Sequence, residues 1–562
     1  MSDTEETAAV PAEAPENAAV PAEAPENVAV PAAESVPAKS GGWLAPFFEL
    51  NFVEMMERLA YNSVRVVAPI YIMQADNAGG LHLTASAKGT LYAWWALVQC
   101  FLPIITGGFA DRYGYKKMMA ISVATMSVGY FLMAFLRDLP ALEAIAELLN
   151  FDGVNGNYLG FFIGITVFAT GSALFKPGVQ GALSHTLPRE KSSLGWGVFY
   201  WVVNIGALIG HYIPVFFLSE NFMAGTLGAA NSAERWRVVF LVSAVMILLN
   251  FIPLLLFKDK PSGMAKTLGI RRVLFNAIRD IFQPRLLAWI LIMSGFWLMM
   301  FQLWDLQPNF LEDWVSSESV AGAANAILPE SISKFIVETS PAGTLRVPQA
   351  VLISANAAFI IIGVVGVSWI TRKMRTLDAM IFGMGMATVG VVLAGMTQNA
   401  WYFLLGVVFF SLGEMFTGPK ISQYLSEIAP SDKKGVYLAY VNIPSGVGIF
   451  VGAELAGLIY GNVGEKATLA LRYIARERGI EWRPFFDSVS ELEKTLGIAR
   501  NEAVPALEKL LGCPAQDVTN LLWNTYSPNL RVWLPFAAIG IVSAVALVIF
   551  SRLAKRWKDM NA

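Results

Sequence analysis

The sequence predicts an all-α integral membrane protein: twelve transmembrane helices in two six-helix bundles, with a small extracytoplasmic helical insert. Three observations predict it. Of 562 residues, 55 % are hydrophobic and only 15 % charged, and the mean hydropathy is +0.52, far from the balance of a soluble domain. From near residue 46 onward, apolar runs of roughly 20 residues recur about twelve times, each long enough to cross a bilayer as a helix. The lysines and arginines gather in alternate connections between those runs, as expected of a chain threaded back and forth through a membrane.

Composition also excludes several classes. A net charge of −2 with scattered basic residues offers no nucleic-acid face. Cys100 lies in an apolar run and Cys513 in a long polar stretch, so a disulfide framework is not expected. Two cysteines and three histidines have no metal-ligand spacing, and no nucleophile–base set is present, so neither an enzyme nor a metal cofactor is predicted. The lipid bilayer is the one macromolecular surface implied; no protein partner is.

Residues 1–42 read as a disordered cytoplasmic tail. AAVPAEAPEN occurs twice, at Ala8–Asn17 and Ala18–Asn27, and Ala, Pro and Glu at that density cannot bury a core. The spans are centred near residues 60, 98, 126, 170, 206, 246, 297, 360, 387, 412, 448 and 541. The fourth, fifth, seventh, tenth and eleventh carry Lys176, Asn204, Asp305, Glu414 and Glu454, and are therefore expected to turn those residues to the bundle interior. The first bundle takes 43–257, a basic linker 258–285, and the second bundle 286–462 with 531–555.

Loop charge orients the chain. Connections after the second, fourth, sixth, eighth and tenth spans hold Arg112, Lys116 and Lys117; Arg189 and Lys191; Lys258, Lys260, Arg271 and Arg272; Arg372, Lys373 and Arg375; and Lys433 and Lys434. Arg552, Lys555, Arg556 and Lys558 follow the last span. The opposite connections at 74–87 and 397–400 have none, with Lys88 at one edge. Both termini are accordingly expected in the cytoplasm, in a multi-pass inner-membrane protein. Residues 313–348 read as an outer loop rich in Ala and Ser. The insert, 463–530, has helical patterning of its own. SVSE at Ser488–Glu491 resembles a capping box, and LEKTLG from Leu492 returns as LEKLLG from Leu507, a small duplicated helical unit.

The chemistry concentrates in EMMERLAYNSVR, Glu54–Arg65. A charge in mid-bilayer costs at least about 2.5 kcal/mol, so such groups face a polar path and pair. Glu54, Glu57 and Arg58 fall on neighbouring faces of one helix. Burial disfavours a charged carboxylate and a nearby cation favours it, so the state of this group depends on which partner is present. Between the second and third spans, GGFADRYGYKK joins Gly107, Gly108, Asp111, Arg112, Gly114 and Lys116: glycines for close helix approach, and charges for capping and for the headgroup level.

That loop closely resembles the signature of the major facilitator superfamily, which implies two six-helix bundles alternating around a midplane site. Glu54–Tyr61 resembles the ExxER[F]xYY motif of the proton-dependent oligopeptide transporters, with Glu54, Glu57, Arg58 and Tyr61 in place and Arg65 where that family has arginine. GSALFKPGV places Lys176 before a proline, FYWVVNIGAL includes Asn204, GEMFTGP sets Glu414 five residues before Pro419, and NAAFII from Asn356 is a weaker match. The likeness covers about 48–460 and resumes at the last span.

The resemblance implies a proton-coupled symporter that imports di- and tripeptides, with the proton as coupling ion. Arg58 and Lys176 suit a peptide carboxylate, Glu414 its ammonium, Asn204 and Asn356 its amide, and Tyr61 the pocket wall. Glu54, Glu57, Arg58 and Lys176 form the proton-coupling set. The seventh span departs from FWxxFEQ: Phe301 stands where glutamate is expected. The register MFQLWDLQ from Met300 supplies Asp305 instead, as a gate partner for Arg65. Asn62 and Ser63 also break the motif where relatives touch substrate, so a different small zwitterion or an organic anion remains a rival cargo. A receptor that binds without transport is a third reading.

Overall fold

The protein is described by a computed structural model over residues 44–556, except 152, 189–191, 220–231, 260–278, 280, 341–342, 430–436 and 438–439. The repeat tail, most of the basic linker, and Arg189, Lys191, Lys433, Lys434 and Lys558 lie outside the described residues.

Among the described residues the apolar runs fold as helices of spanning length. They are α1 (Leu44–Arg65), α3 (Ala85–Tyr113), α4 (Tyr115–Phe135), α6 (Gly156–Thr186), α7 (Ser192–Leu218) and the pair α8 (Ser232–Leu248) and α9 (Phe251–Leu256). There follow α10 (Pro284–Met300) with α11 (Gln302–Asp305), then α15 (Gln349–Thr371), α16 (Thr376–Gly395), α17 (Ala400–Ile428), α18 (Asn442–Val463) and α23 (Pro528–Ala554). Ten of these spans are apolar enough by composition. Helices α1 and α3, of 22 and 29 residues, complete twelve. Side-chain caps start several helices: Thr84 accepts from the Ala87 amide, Asn155 from Tyr158 and Asn399 from Trp401, each satisfying a helix-end donor without an internal partner.

In the first half α4 packs on α6 and α8, and α1 on α7 and α8. In the second, α16 packs on α17 and α23, and α10 on α18 and α23. The halves meet where α3 lies along α18 and α7 along α15. Helix α1 sits very close to α7. A Cβ built on Gly206 would lie 2.5 Å from the Met55 carbonyl oxygen, and one on Gly210 2.5 Å from that of Leu59. Only glycine permits this approach, the small-xxx-small contact of membrane helices.

Short helices lie at the end of the bundle that carries the insert, termed the insert end. Two belong to the first half, α2 (Ala68–Met73) and α5 (Pro140–Leu149). The stretch expected to be a plain loop at 313–348 instead folds as the end of α12 (Gln307–Trp314), α13 (Glu318–Ile327), α14 (Glu330–Ile336) and an antiparallel hairpin, β1 (Glu338–Thr339) and β2 (Leu345–Arg346). Arg346 bridges Glu312 and Glu338 at 2.6 and 2.8 Å, which fixes it.

The insert is helical: α19 (Lys466–Glu477), α20 (Val489–Leu496), α21 (Arg500–Leu511) and α22 (Ala515–Tyr526). The two LEK repeats end α20 and α21 identically, with Gly497 and Gly512 left-handed at φ 65° and 66°, a conformation glycine adopts without strain. Ser488 occupies the N-cap of α20 but its side chain makes no capping bond, so the capping box is not formed. Glu454 also departs from expectation. It is exposed on α18 within an outward apolar stripe of Phe450, Val451 and Leu458, not turned to the interior.

Candidate functional site

Helix α1 places Glu54, Glu57, Arg58 and Tyr61 one turn apart, and α6 brings Lys176 beside them. Arg58 grips Glu57 with both arms of its guanidinium, Nε to Oε2 at 2.5 Å and Nη2 to Oε1 at 2.6 Å. Its Nε also lies 3.5 Å from Glu54 Oε1. Lys176 Nζ donates to that same oxygen. Both glutamates are sealed from solvent, at 0 % and 1 % exposure, whereas Arg58 and Lys176 keep 14 % and 30 %. Two acids and two bases thus form a charge-balanced, open ring, Glu57–Arg58–Glu54–Lys176 in order of contact, whose cations are its more exposed members. Glu54 Oε2 is buried with no hydrogen-bond partner, an acceptor position that a proton would satisfy.

Tyr61 closes the group. Its ring lies under the Arg58 guanidinium at 4.6 Å and against Trp95 and Phe168, a cation–π arrangement that keeps the arginine extended. Asn62 and Ser63 do not line this space together. The Asn62 amide donates to the Arg58 carbonyl at 2.8 Å, and Ser63 is fully buried, its hydroxyl 2.6 Å from Ser243 on α8. The Ser63 substitution is therefore a helix-packing feature of this chain rather than a change in the pocket wall.

The second half holds a different arrangement. Asn356 of α15 donates to Glu414 Oε2 of α17 at 3.2 Å and accepts from Ser411 at 2.8 Å. Glu414 is half-buried and, among the described residues, has no ion-pair partner. Prolines lie inside both charged helices, Pro177 next to Lys176 and Pro419 beyond Glu414; each removes a backbone hydrogen bond and leaves the helix locally free to bend. Asn204 is buried on α7 and spends an amide hydrogen on its own helix, donating to the Tyr200 carbonyl at 2.9 Å. Tyr200 in turn packs against Ile360, Val367, Met415 and Phe416 of α15 and α17. No described hydrogen bond or ion pair joins the two charged groups directly.

The gate pair requires a correction. Asp305 binds Lys88 of α3, with Nζ 2.7 Å from its Oδ1 and 2.7 Å from its carbonyl oxygen, and both residues are 1 % exposed. Arg65 lies instead over Tyr92 and Trp95, at 4.1 and 4.8 Å from their ring centroids. Tyr92 also faces Lys88, at 5.5 Å, so one ring is shared by the two cations. The reason lies in the seventh span, which breaks after Met300 at the end of α10 and restarts at Gln302 as α11; Asp305 therefore addresses α3 and not α1. A polar second layer lies above. Asp313 of α12 accepts from Gln74 at 2.7 Å, from the Tyr460 hydroxyl at 2.5 Å and from the Lys466 amide at 3.1 Å.

Lys88, Gln74, Asp313 and Tyr460 were not singled out from sequence. Lys88 carries a signal, a lysine set against an apolar run at the edge of a connection, 74–87, otherwise free of basic residues.

At the opposite end, Gly107, Gly108, Asp111 and Arg112 lie in α3, with their side chains outside the described residues. Gly114 breaks α3 from α4 at φ 97°. Lys116 donates its ammonium to the Leu255 and Phe257 carbonyls at 3.2 and 2.8 Å, and its amide to Asp259 at 3.2 Å. The loop is thus tied to the end of α9.

Comparison with known proteins follows the same lines. The family model of the Major Facilitator Superfamily matches residues 50–453. A Na(+), Li(+), K(+)/H(+) antiporter of Planococcus maritimus is 23% identical over 61% of the chain and 74% of its own length. Dipeptide and tripeptide permease B of Shigella dysenteriae is 27% identical over 29% of each protein, so that alignment takes in less than a third of the relative. The solved structure of a bacterial homologue of human drug peptide transporters superposes with a TM-score of 0.56, covering 92% of this chain and 99% of the other at 15% identity.

Proposed function

This chain belongs to the major facilitator superfamily, and on that premise we propose that it is a proton-coupled symporter importing short peptides by alternating access. The observation that carries the proposal is the ring of Glu54, Glu57, Arg58 and Lys176. Two sealed carboxylates are each held by a cation that remains partly exposed. A proton on Glu54 removes the charge that holds Lys176, and one on Glu57 releases Arg58. Either cation is then free to take a peptide carboxylate, with Arg58 able to do so bidentately. Glu414, held by an amide and not by a base, suits the peptide ammonium. Proton and substrate then enter together because each completes what the other disturbs. No cofactor beyond the proton is needed.

In the same reading the termini are cytoplasmic, the membrane is the inner one, and the insert is extracytoplasmic, in keeping with the basic loops on the terminal side. The Lys88–Asp305 pair is then the outer gate in its closed position, with Arg65 as a neighbouring cation. The 107–116 loop is the conformational switch.

One observation favours a second reading. Asn62 is half-buried beside Arg58 where the oligopeptide motif has tyrosine, which allows a different zwitterion or an organic anion as cargo. Uptake into proteoliposomes under an imposed pH gradient decides between them. Dipeptides, tripeptides, free amino acids and nitrate are offered in parallel. Saturable dipeptide uptake that vanishes without the gradient is expected. Uptake of another solute alone overturns the peptide assignment, and binding without flux overturns transport.

A further inference from the structure

The insert reaches across the molecule. Arg500, the first residue of α21, is 6 % exposed and pairs with Glu465 at 2.6 Å. Its other arm leaves the second half altogether: Nη2 donates to the carbonyl oxygens of His82 at 2.6 Å and Leu83 at 2.9 Å. These carbonyls stand directly before Thr84, the N-cap of α3, and Lys88 of the gate lies on the first turn of that helix. The segment is itself pinned. Leu81 and Leu83 donate their amides to Tyr71 and Ile72 at 2.7 and 2.8 Å, and His82 is held left-handed at φ 51°. Glu493 completes the far side, accepting the Arg500 amide at 2.7 Å, and Glu465 is steadied by the Thr468 hydroxyl at 2.6 Å.

Cavities of about 460 and 230 Å³ flank the contact, and Arg500 and Glu465 line both. The bond is a polar clasp between hollows rather than part of a dry core. Nη1 of this buried guanidinium is directed to a carboxylate and Nη2 to two carbonyls, and Nη2 loses both acceptors if those carbonyls withdraw.

We propose that Arg500 is a positioning residue for the gate: through the His82 and Leu83 carbonyls it seats the start of α3, so that the insert acts as a clamp holding the two halves together at the insert end. The inference rests on the transport reading only in taking the halves to separate there during the cycle. Opening must detach Arg500 from both carbonyls, so the clamp sets the ratio of closed to open protein and need not touch the cargo.

Spin labels at Glu147→Cys on α5 and Ser319→Cys on α13, in the full chain with Cys100→Ser and Cys513→Ser, report the separation of the halves in lipid nanodiscs. Arg500→Gln is expected to raise the long-distance fraction about tenfold or more, the scale of a lost charged hydrogen-bond set. Arg500→Lys, which keeps the charge but not the fork, is expected between wild type and Arg500→Gln. A distance distribution the same in wild type and Arg500→Gln, with helical circular dichroism unchanged, overturns the clamp. If Arg500→Gln fails to fold, the Arg500→Lys comparison decides alone, and no shift there also overturns it. Dipeptide uptake by the same proteins separates the two proposals. A shift without uptake removes the peptide assignment and leaves the clamp, whereas uptake without a shift does the reverse.

Discussion

The two halves handle their acids differently. In the first half Glu54 and Glu57 are satisfied internally, by Lys176 and Arg58 of the same six helices. In the second half two buried acids reach across the interface. Asp305 takes Lys88, and Asp313 takes Gln74 beside Tyr460 and Lys466 of its own half, while Glu414 is held by an amide. A half whose charges balance can hold its shape through a rigid-body movement. Acids that take donors across the interface keep those donors only while the halves are docked. That asymmetry gives alternating access a physical basis, because separating the halves at one end frees acids that must be satisfied again.

The comparison can be broken most severely at the ring. Glu54→Gln and Glu57→Gln, made separately, are each expected to reduce uphill, proton-driven uptake by ~100-fold or more, since each removes the group whose protonation releases a cation. Retained concentrative uptake in both variants would contradict a self-contained coupling ring.

The gate gives the next largest effect. Lys88→Met leaves Asp305 buried without its cation and should cost about 3 kcal/mol in thermal or denaturant stability. Lys88→Met with Asp305→Leu should recover most of that loss. Arg65→Leu and Asp305→Asn should instead combine nearly additively, with coupling below about 1 kcal/mol. Strong coupling of Arg65 to Asp305 would return the gate to the arrangement expected from sequence.

Glu414→Gln tests the acid held by an amide. The apparent affinity for a dipeptide is expected to fall ~30-fold, the scale of a charge-assisted hydrogen bond of about 2 kcal/mol. An N-acetylated dipeptide, which has no ammonium, should be affected little. Equal losses for both ligands would mean that Glu414 is structural.

The smallest effect is one of pH. Asp313 lies beyond the membrane span of its helix, and burial pushes its carboxyl up from 3.8 to about 6. Lys466, Gln74 and Tyr460 oppose that rise and Asp76 adds to it. Once the gate opens and water returns, the group reverts toward its ordinary value. Closure therefore favours the neutral acid. Its contribution is complete below about pH 4, declines as pH rises through 6, and is absent above that. Lowering the pH from 7 to 5 should raise the closed-to-open ratio about tenfold, as read by the spin-label distances, and Asp313→Asn should flatten the profile. A slope of opposite sign would show that the three donors outweigh burial.

Much of this architecture was legible in the chain. Twelve spans follow from hydropathy, and Glu54, Glu57, Arg58, Tyr61 and Lys176 were singled out by local motifs, which suffice because four of the five share one helix. The gate was not legible. Lys88 and Asp305 lie 217 positions apart, and whether Asp305 meets α1 or α3 depends on a helix break at Phe301 that no proline or glycine announces. Glu454 misled for a related reason. A polar residue in an apolar span implies a polar environment, but only the packed neighbours of α18 decide which face turns outward. Arg500 carries no signal, because its partners in the first half are backbone carbonyls, which every sequence possesses.

The distances along the chain between these partners also have a consequence for biosynthesis. The ribosome adds ~5–20 residues per second, so Lys88 enters the membrane many seconds before Asp305 exists, and the His82 and Leu83 carbonyls wait 418 and 417 positions for Arg500. The ring of Glu54, Glu57, Arg58 and Lys176 closes within the first half and needs nothing made later. The nascent first half thus balances the charges of that group by itself, while Lys88 waits at the start of α3 for the acid that the docking second half brings.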